Sequence, residues 1–326
     1  RGLGDVYKRQ TLKGAKFILL LSFNSHQTMI IAAIDIGSNA ARLLINEVKP
    51  SKGKAEFTKL NLLRIPLRLG MDVFSKGEIG EERKQMVIST MKIFSQLMAM
   101  YKVEHYRACA TSAMRDAKNG QEIIEIVKKE ADINIEIISG DEEATLIYEN
   151  HVAEGLDKDF AYLYVDVGGG STELTFYENN KMKYEHSFNI GTIRLLNGLV
   201  SQSAWDEMKE EIKDKIKSKK PVVAIGSGGN INKIFSLSKT KDGKPMSVSV
   251  IKKYLKEMQN LSVEERMHLY QFREDRADVI VPALQIFNNV MTWAEIKNIY
   301  VPKISVADGL IKSIYYSLKK KKSLMS

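Results

Sequence analysis

Two segments of this chain carry an aspartate, small residues and potentially exposed backbone amides in the same order. Residues 34–39 read IDIGSN and residues 165–170 read VDVGGG, and a β-rich run precedes and follows each of them. Each segment therefore predicts a strand, a tight turn and a second strand, and the backbone N–H groups of such a turn can hold phosphate oxygens. Because the pattern occurs twice, we expect two related halves that face each other across a cleft, and we expect phosphoryl chemistry there.

Three carboxylates accompany these turns. Asp35 and Asp166 end the strands that lead into them, and Glu173 lies seven residues beyond Asp166. Such oxygens can bind Mg²⁺ directly or through water, while phosphate oxygens complete its coordination, and Glu173 could instead orient a water molecule. The alternative is structural: each aspartate caps its own turn, and Glu173 faces solvent at a strand edge.

The turns also offer hydrogen-bond donors. Glycine allows the backbone to approach a phosphate without a Cβ atom in the way, and hydroxyl or amide side chains add further donors. A tight hairpin without any ligand would use the same residue types. The candidate phosphate-binding residues of the two turns are Ser38, Asn39, Gly168, Gly169, Gly170, Ser171 and Thr172.

Two further segments could bind an anion. Residues 226–229 (GSGG) follow a predicted strand and precede a predicted helix, so Gly226, Ser227 and Gly228 could present helix N-terminal amides, although such loops often serve packing alone. Arg115 follows the predicted strand 106–111 and could grip a phosphate with two donors, or form a surface ion pair with Asp116.

The composition limits the functional classes. The chain has 326 residues, 44% of them hydrophobic and 27% charged, which allows two domains with cores of their own. The net charge of +9 suits an anionic ligand, although lysine-rich surface runs account for part of it. The single cysteine, Cys109, excludes a disulfide framework and is typical of a buried filler in a reducing compartment. The sequence contains neither a P-loop nor a Cys/His zinc cluster.

The elements that must position these residues alternate between strand and helix, which predicts α/β layers. A helix is expected over residues 81–101, where Met86, Ile93, Leu97 and Met100 recur at helical spacing. The last predicted strand covers residues 299–301 and the last helix residues 307–319. Residues 1–28 are predicted to be a non-native or disordered leader before Met29, and no segment is long and apolar enough to span a bilayer.

Five ordered motifs together resemble the exopolyphosphatase/guanosine pentaphosphate phosphohydrolase (Ppx/GppA) family, and residues 276–280 (RADVI) extend the match. The motifs are residues 35–39, 110–117, 138–144, 166–173 and 225–229. The resemblance implies a duplicated actin-like (ribonuclease H-like) α/β fold with a central cleft. Residues 29–148 would form domain I, joined by the C-terminal helix 306–320, and residues 149–305 would form domain II.

The resemblance also implies roles for particular residues. It places the catalytic base on Glu143, with Glu142 as the alternative, beside Asp166 and Glu173. It makes Arg115 a phosphate ligand and suggests that Gly191, in another family turn, approaches the substrate. The implied metal is Mg²⁺, with Mn²⁺ as an alternative, held by Asp35, Asp166 and Glu173.

The activity implied by the resemblance is hydrolysis of a terminal phosphate from inorganic polyphosphate or guanosine pentaphosphate, in the cytoplasm. A homodimer is a possible assembly, and neither nucleic acid nor a membrane is an expected partner. The sequence does not choose between these substrates. The C-terminal helical region of longer relatives is not recognised here, which puts processive action on long chains in doubt.

Two alternatives belong to other functional classes. One is a sensor that binds guanosine tetraphosphate or polyphosphate without hydrolysis. The other is an ATP-dependent sugar kinase of actin-like fold, for which no sugar-binding domain with a catalytic aspartate of its own is found in the sequence. The intact set of candidate catalytic residues favours the enzyme over the sensor.

Overall fold

The computed structural model describes residues 28–51, 55–152, 157–179, 181–302 and 305–325. Nearly all of the predicted leader lies outside the described residues. The described chain forms two β-sheets, each covered by helices, and we name the halves of the molecule after them.

The first half contains a five-stranded sheet in the order β3-β2-β1-β4-β5. Its elements are β1 (Met29–Ile36), β2 (Ala41–Lys49), β3 (Glu56–Ile65), α1 (Leu69–Lys76), α2 (Glu81–Met100), β4 (His105–Ala110), α3 (Ser112–Asp116), α4 (Gly120–Ala131), β5 (Ile135–Ile137) and α5 (Gly140–Val152).

The second half contains a six-stranded sheet in the order β10-β11-β9-β6-β7-β8. Its elements are β6 (Ala161–Val167), β7 (Thr172–Glu178), β8 (Lys181–Phe188), α6 (Thr192–Leu196), α7 (Gln202–Lys215), β9 (Val222–Ser227), α8 (Gly229–Leu237), β10 (Met246–Ser247), α9 (Val248–Met258), α10 (Val263–Tyr270), α11 (Glu274–Ala277), α12 (Ile280–Trp293) and β11 (Asn298–Tyr300). The last helix, α13 (Val306–Met325), follows it in sequence.

The two sheets repeat one plan. In each, a central strand pairs antiparallel with the next strand along the chain and parallel with the strand that follows a crossover helix. The antiparallel register also repeats, since Asp35 lies opposite Arg42 and Asp166 lies opposite Glu173. Even a β-bulge recurs, between Ile45 and Asn46 in one half and between Phe176 and Tyr177 in the other. The repeat inferred from the two turns therefore extends over whole sheets.

The first sheet is buried on both faces around β1, β2 and β4, whereas β3 is exposed over much of its length. One face packs against α2 and α4, with Ile34, Phe94 and Val127 in the shared core. The other face packs against α13, where Ile31, Leu44 and Leu310 are in one cluster. Because α13 contacts β1 and α5, it packs on the first half.

The predicted boundary between residues 148 and 149 falls within α5, which continues to Val152. The division into domains remains a prediction. In the second half, a separate core lies between the sheet and the helices α7, α8, α9 and α12. No helix of the described residues combines the length and apolar character that a bilayer crossing requires.

Helix α2 forms over nearly the predicted range, but the apolar residues whose spacing predicted it lie outside its buried stripe. Met86, Ile93 and Met100 are 37%, 46% and 77% exposed, whereas the helix buries a different stripe. The buried stripe includes Val87, Ile88, Met91, Phe94 and Met98. The helix carries apolar residues on both faces, so periodicity alone does not identify the face that meets the sheet.

Candidate active site

A cavity of about 380 Å³ lies between the two halves, and we call it the cleft cavity. Both predicted turns line it, together with the loop before α8, the start of α5 and strand β3. The lining side chains include acids (Asp35, Glu143, Asp166, Asp275, Asp308), bases (Arg42, Lys59, Arg64, Arg276) and hydroxyl groups (Ser38, Thr111, Ser112, Ser171, Thr192, Ser227, Ser305).

The two turns close with the same hydrogen bond. The N–H of Gly37 donates to the carbonyl of Ala40 at 3.0 Å, and the N–H of Gly168 donates to the carbonyl of Ser171 at 2.9 Å. Each turn thus bends within three residues and brings its backbone to the cavity wall. Equivalent closure is what a repeated anion-binding turn requires.

The turns also touch each other across the cleft. A Cβ atom at Gly169 would lie 2.8 Å from the Cβ of Ser38, and one at Gly170 would lie 2.4 Å from the Phe74 ring. The Ser38 hydroxyl in turn lies 2.8 Å from that of Ser112. These glycines therefore allow the two halves to approach closely, which is a packing role that the sequence did not reveal.

The loop before α8 presents amides to the cavity. Gly228 has a φ of 108°, which favours glycine, and a Cβ atom there would lie 3.4 Å from an Asp166 carboxylate oxygen. Helix α8 begins at Gly229, so its first N–H groups lie beside Gly228 and Ser227, both of which line the cavity. A helix N-terminus in this position favours an anion.

The acids of the cavity are crowded. Burial raises the pKa of Asp166, although a hydrogen bond from Ser227 and the charge of Arg42 act in the opposite direction. Burial also raises the pKa of Glu143 well above its usual range, and the charges of Glu173 and Asp166 add to that effect. Glu143 and Asp166 therefore favour protons, cations or cationic side chains as neighbours.

Glu173 lies behind this group of acids. Burial, followed by the charge of Asp166, raises the pKa of Glu173 to about 7, while hydrogen bonds from Ser171 and Ser187 oppose the shift. The Ser187 hydroxyl donates to the carboxylate at 2.9 Å. Glu173 is 3% exposed and does not line the cavity.

Basic side chains also line the cavity, next to these acids. Arg42 pairs with Asp35 at 2.7 Å, and Arg64 pairs with Asp275 of the other half at 2.6 Å. Arg276 donates to the carbonyl of Gly229 at 2.8 Å. Burial and the neighbouring charge of Arg64 lower the pKa of Arg276, which shows that cations are crowded here. An anion in the cavity would relieve this repulsion.

The family is decided by comparison with known proteins. The model of the Ppx/GppA phosphatase family matches residues 45–318. The chain belongs to the Ppx/GppA phosphatase family. The motifs that suggested this membership from sequence are those that meet around the cleft cavity.

Two curated proteins are similar to this chain. The bifunctional 3-dehydroquinate synthase/phosphatase of Fusobacterium nucleatum is 31% identical over 244 residues, which cover 73% of this chain and 35% of that protein. Exopolyphosphatase 2 of Mycobacterium tuberculosis is 31% identical over 173 residues, which cover 51% of this chain and 53% of that protein. The matches thus span about a third and about half of these relatives' lengths.

Solved structures of the Ppx/GppA family share the fold. The Aquifex aeolicus family member superposes with a TM-score of 0.70 at 27% identity, over 89% of this chain and 99% of that chain. An exopolyphosphatase from Cytophaga hutchinsonii gives a TM-score of 0.74 at 24% identity, over 88% and 97% of the two chains. The predicted duplicated actin-like α/β architecture is thereby confirmed.

The structure separates the predicted Ppx/GppA site residues into two groups. Those that line the cleft cavity are Asp35, Ser38, Asn39, Glu143, Asp166, Gly168, Gly169, Ser171, Ser227 and Gly228. Those that do not line it are Arg115, Gly170, Thr172, Glu173, Gly191 and Gly226.

Three of the second group serve packing instead of facing the cavity. A Cβ atom at Gly191 would lie 2.4 Å from the backbone of Gly170, so Gly191 supports the turn from behind. The Thr172 side chain is fully buried and donates to the carbonyl of Ile190. At Gly226 a Cβ atom would meet Ile299 of the core at 2.7 Å. Thr172 and Gly191 thus pack around the second turn, and Gly226 packs against the core.

Arg115 does not line the cavity, and it forms the ion pair with Asp116 that was the alternative, at 3.9 Å. Its guanidinium donates to the carbonyl of Ile138 at 3.0 Å, on the strand-to-helix connection that leads to Glu143. Its charge lowers the pKa of Glu143, against the larger effect of burial. Glu142, the alternative base, pairs with Arg107 at 2.7 Å outside the cavity, so the geometry favours Glu143.

Neither Arg64 nor Arg42 is among the site residues that the sequence predicted. A signal for Arg42 was available, because Arg42 follows Asp35 by the seven residues that separate Glu173 from Asp166. The repeat therefore places a cation in one half where the other half has an acid. No comparable signal marks Arg64, whose partner Asp275 lies more than two hundred residues along the chain.

The carboxylates fit a divalent cation only in part. Among the described residues, no group of three or more His, Cys, Asp or Glu side chains is arranged to hold a metal ion. Mg²⁺ commonly binds through one or two carboxylates together with substrate phosphates. Asp35 and Asp166, which line the cavity, fit that mode, whereas Glu173 lies too far behind the turn to line it.

Proposed function

We propose that this protein is a Mg²⁺-dependent phosphohydrolase that releases the terminal phosphate of inorganic polyphosphate or guanosine pentaphosphate. One observation carries the proposal: a single cavity unites two phosphate-binding turns, basic side chains and the buried carboxyl of Glu143. Family membership and the phosphatase names of the similar proteins support the reaction class.

The terminal phosphate would bind between the two halves. The turn at Gly168 and Gly169 and the N-terminus of α8 supply backbone donors, and Arg42 and Arg276 supply charge. Arg42 is already oriented by Asp35 at 2.7 Å. Such pre-positioned donors stabilise negative charge that is spread over phosphoryl oxygens in the transition state.

Glu143 would act as the general base. Its carboxylate accepts a proton from a water molecule as the water oxygen forms a bond to the terminal phosphorus. The bridging P–O bond breaks, and its electron pair remains on the shortened chain. A carboxyl with a raised pKa is a more effective base near neutral pH than an ordinary glutamate. The charge of the buried Glu173 would help to keep the pKa of Glu143 raised.

A bound Mg²⁺ would neutralise phosphate charge. Asp35 and Asp166 are the residues that would hold it, with the substrate's oxygens. The same two carboxylates would orient the phosphate chain relative to Glu143, because all three line one cavity.

The experiment is phosphate release from inorganic polyphosphate and from guanosine pentaphosphate, measured with Mg²⁺ and with a chelator. We expect Glu143→Gln to lower the rate by about two to four orders of magnitude while substrate still binds. The matched control is Glu142→Gln, which should retain activity because its partner is Arg107. Metal-independent binding of guanosine tetraphosphate with no phosphate release from either substrate would instead identify a sensor.

A further inference from the structure

Strand β3 contains one residue more than its partner β2. Asn61 lies opposite Ile45 and Lys59 lies opposite Asn46, so Leu60 between them has no partner. A bulge of this kind shifts the alternation of side chains by one position. Residues 56–59, which lie beyond Leu60 in this pairing, consequently point to the face opposite the one that uninterrupted pairing would give.

The bulge turns Lys59 toward the cleft. Arg64, Leu62 and Lys59 lie opposite residues 42, 44 and 46 of β2, which alternate onto one face. All three of these β3 residues line the cleft cavity. Without the extra residue, Lys59 would face away from the cavity.

The bulge itself belongs to the repeat, but the lysine does not. In the second half, Tyr177 lies opposite Met182 across the equivalent irregularity, and Lys183 is the residue without a partner. Met182 therefore occupies the position of Lys59. The first half differs by placing a cation there, beside a cavity that already contains Arg42 and Arg64.

Lys59 is also chemically available. Arg42 and Arg64 have carboxylate partners at 2.7 and 2.6 Å. The exposed side chain of Lys59, in contrast, forms no ion pair or hydrogen bond with another described residue. Along β2, Arg42 and Asn46 are four residues apart, which corresponds to about 13 Å at the usual strand rise. A phosphate bound near Lys59 would thus lie well away from the reacting phosphate.

We propose that Lys59 is an outer phosphate-binding residue that makes the protein favour long polyphosphate chains over short ones. The inference rests on the proposed function, because it assumes that the terminal phosphate occupies the turns. A long chain extends along β3 from Arg64 to Lys59 and gains the outer contact. A short chain held at the turns does not reach it.

The test compares inorganic triphosphate with long-chain polyphosphate as substrates of the wild type and of Lys59→Gln. We expect KM for the long chain to rise about three- to tenfold, since one partly exposed charge contact is lost, with kcat little changed. KM for triphosphate should change less than about twofold, because a substrate that does not contact Lys59 loses no uniform binding. Lys59→Arg should restore the long-chain value.

Lys183→Gln is the matched control, since it removes the same charge from the bulge of the second half, outside the cavity. It should leave both substrates unaffected. An equal loss on triphosphate and on the long chain would overturn the proposal, as would an unchanged KM for the long chain. An effect confined to guanosine pentaphosphate would also overturn the proposal, and it would indicate that Lys59 contacts a nucleotide.

Equilibrium binding of long-chain polyphosphate to the same variants separates this inference from the proposed function. If the wild type released no phosphate from any substrate, the proposed hydrolysis would be wrong. The binding data would still test the role of Lys59. Equal affinities of wild type and Lys59→Gln for the long chain would overturn the proposed outer contact. A loss of affinity that is specific to the long chain would support it.

Discussion

At the scale of single residues, the site combines acids whose pKa values are shifted from the ordinary range by burial and by mutual repulsion. Glu143, Asp166 and Glu173 all have raised pKa values, with burial as the largest cause. Such an arrangement opposes folding at neutral pH, because charged carboxylates are desolvated without enough partners. Active sites often retain such a cost because the chemistry needs the groups.

Glu173→Gln should therefore stabilise the protein, and the gain should grow with pH. A carboxyl with a raised pKa binds its proton more tightly in the folded state than in the unfolded state. The stability that this tighter binding contributes is therefore present at low pH and is lost as the pH rises toward 7. The variant cannot ionise, so it should match wild type near pH 4 and exceed it at pH 8. Because one pKa unit corresponds to about 1.4 kcal/mol, the difference should approach roughly 3 kcal/mol.

Thermal unfolding at several pH values measures this difference. The amide side chain of the variant can still accept the hydrogen bond from Ser187, so packing should be preserved. A variant less stable than wild type at pH 8 would contradict the electrostatic account. Phosphate release in the same samples should fall, because the charge beside Glu143 is lost.

At the scale of elements, the glycines of the two turns have different physical requirements. A Cβ atom at Gly37 would have no neighbour closer than 3.5 Å, whereas one at Gly170 would lie 2.4 Å from the Phe74 ring and 2.5 Å from the Ser112 hydroxyl. The first turn has room for a methyl group, and the second is filled by the opposite half.

We expect Gly170→Ala to destabilise the protein by about 1–3 kcal/mol, the usual cost of overpacking. Gly37→Ala is the matched control and should change stability by less than about 0.5 kcal/mol. Denaturant unfolding measures both. Equal destabilisation by the two substitutions would mean that the surroundings of Gly170 accommodate a methyl group as readily as those of Gly37.

At the scale of the whole molecule, contacts across the cleft come from both of its sides. Arg64 pairs with Asp275 and Arg68 pairs with Asp278 on one side, and Arg194 pairs with Asp116 at 2.5 Å on the other. These ion pairs connect the first half of the molecule to the second. Helix α13 contributes differently, because it covers a face of the first sheet that would otherwise be apolar and exposed.

Leu310→Ala should loosen this cover and make Cys109 reactive. The thiol lies in the same core cluster as Leu310, and burial raises its pKa to about 12, so it should react very slowly in the wild type. Removing the fully buried leucine side chain should cost about 2–5 kcal/mol. Because Cys109 is the only cysteine, the rate of modification by a thiol reagent reports directly on this interface.

Tyr316→Ala is the control on the same helix, since Tyr316 is 46% exposed. It should leave the modification rate nearly unchanged. If Leu310→Ala also left the rate unchanged, α13 would not protect the face of the first sheet in solution.

Local residue order was enough to predict the features that are encoded within a few residues. Turns, strand ends and the family motifs are of this kind, so the duplication, the fold class and the position of Glu143 at the cavity could be predicted. Contacts between distant segments became visible only once the chain was folded. Gly191 packs behind a turn and Arg64 meets Asp275, because packing brings together segments whose separation in sequence gives no signal. Likewise, only the pairing register shows that a bulge turns Lys59 into the cleft.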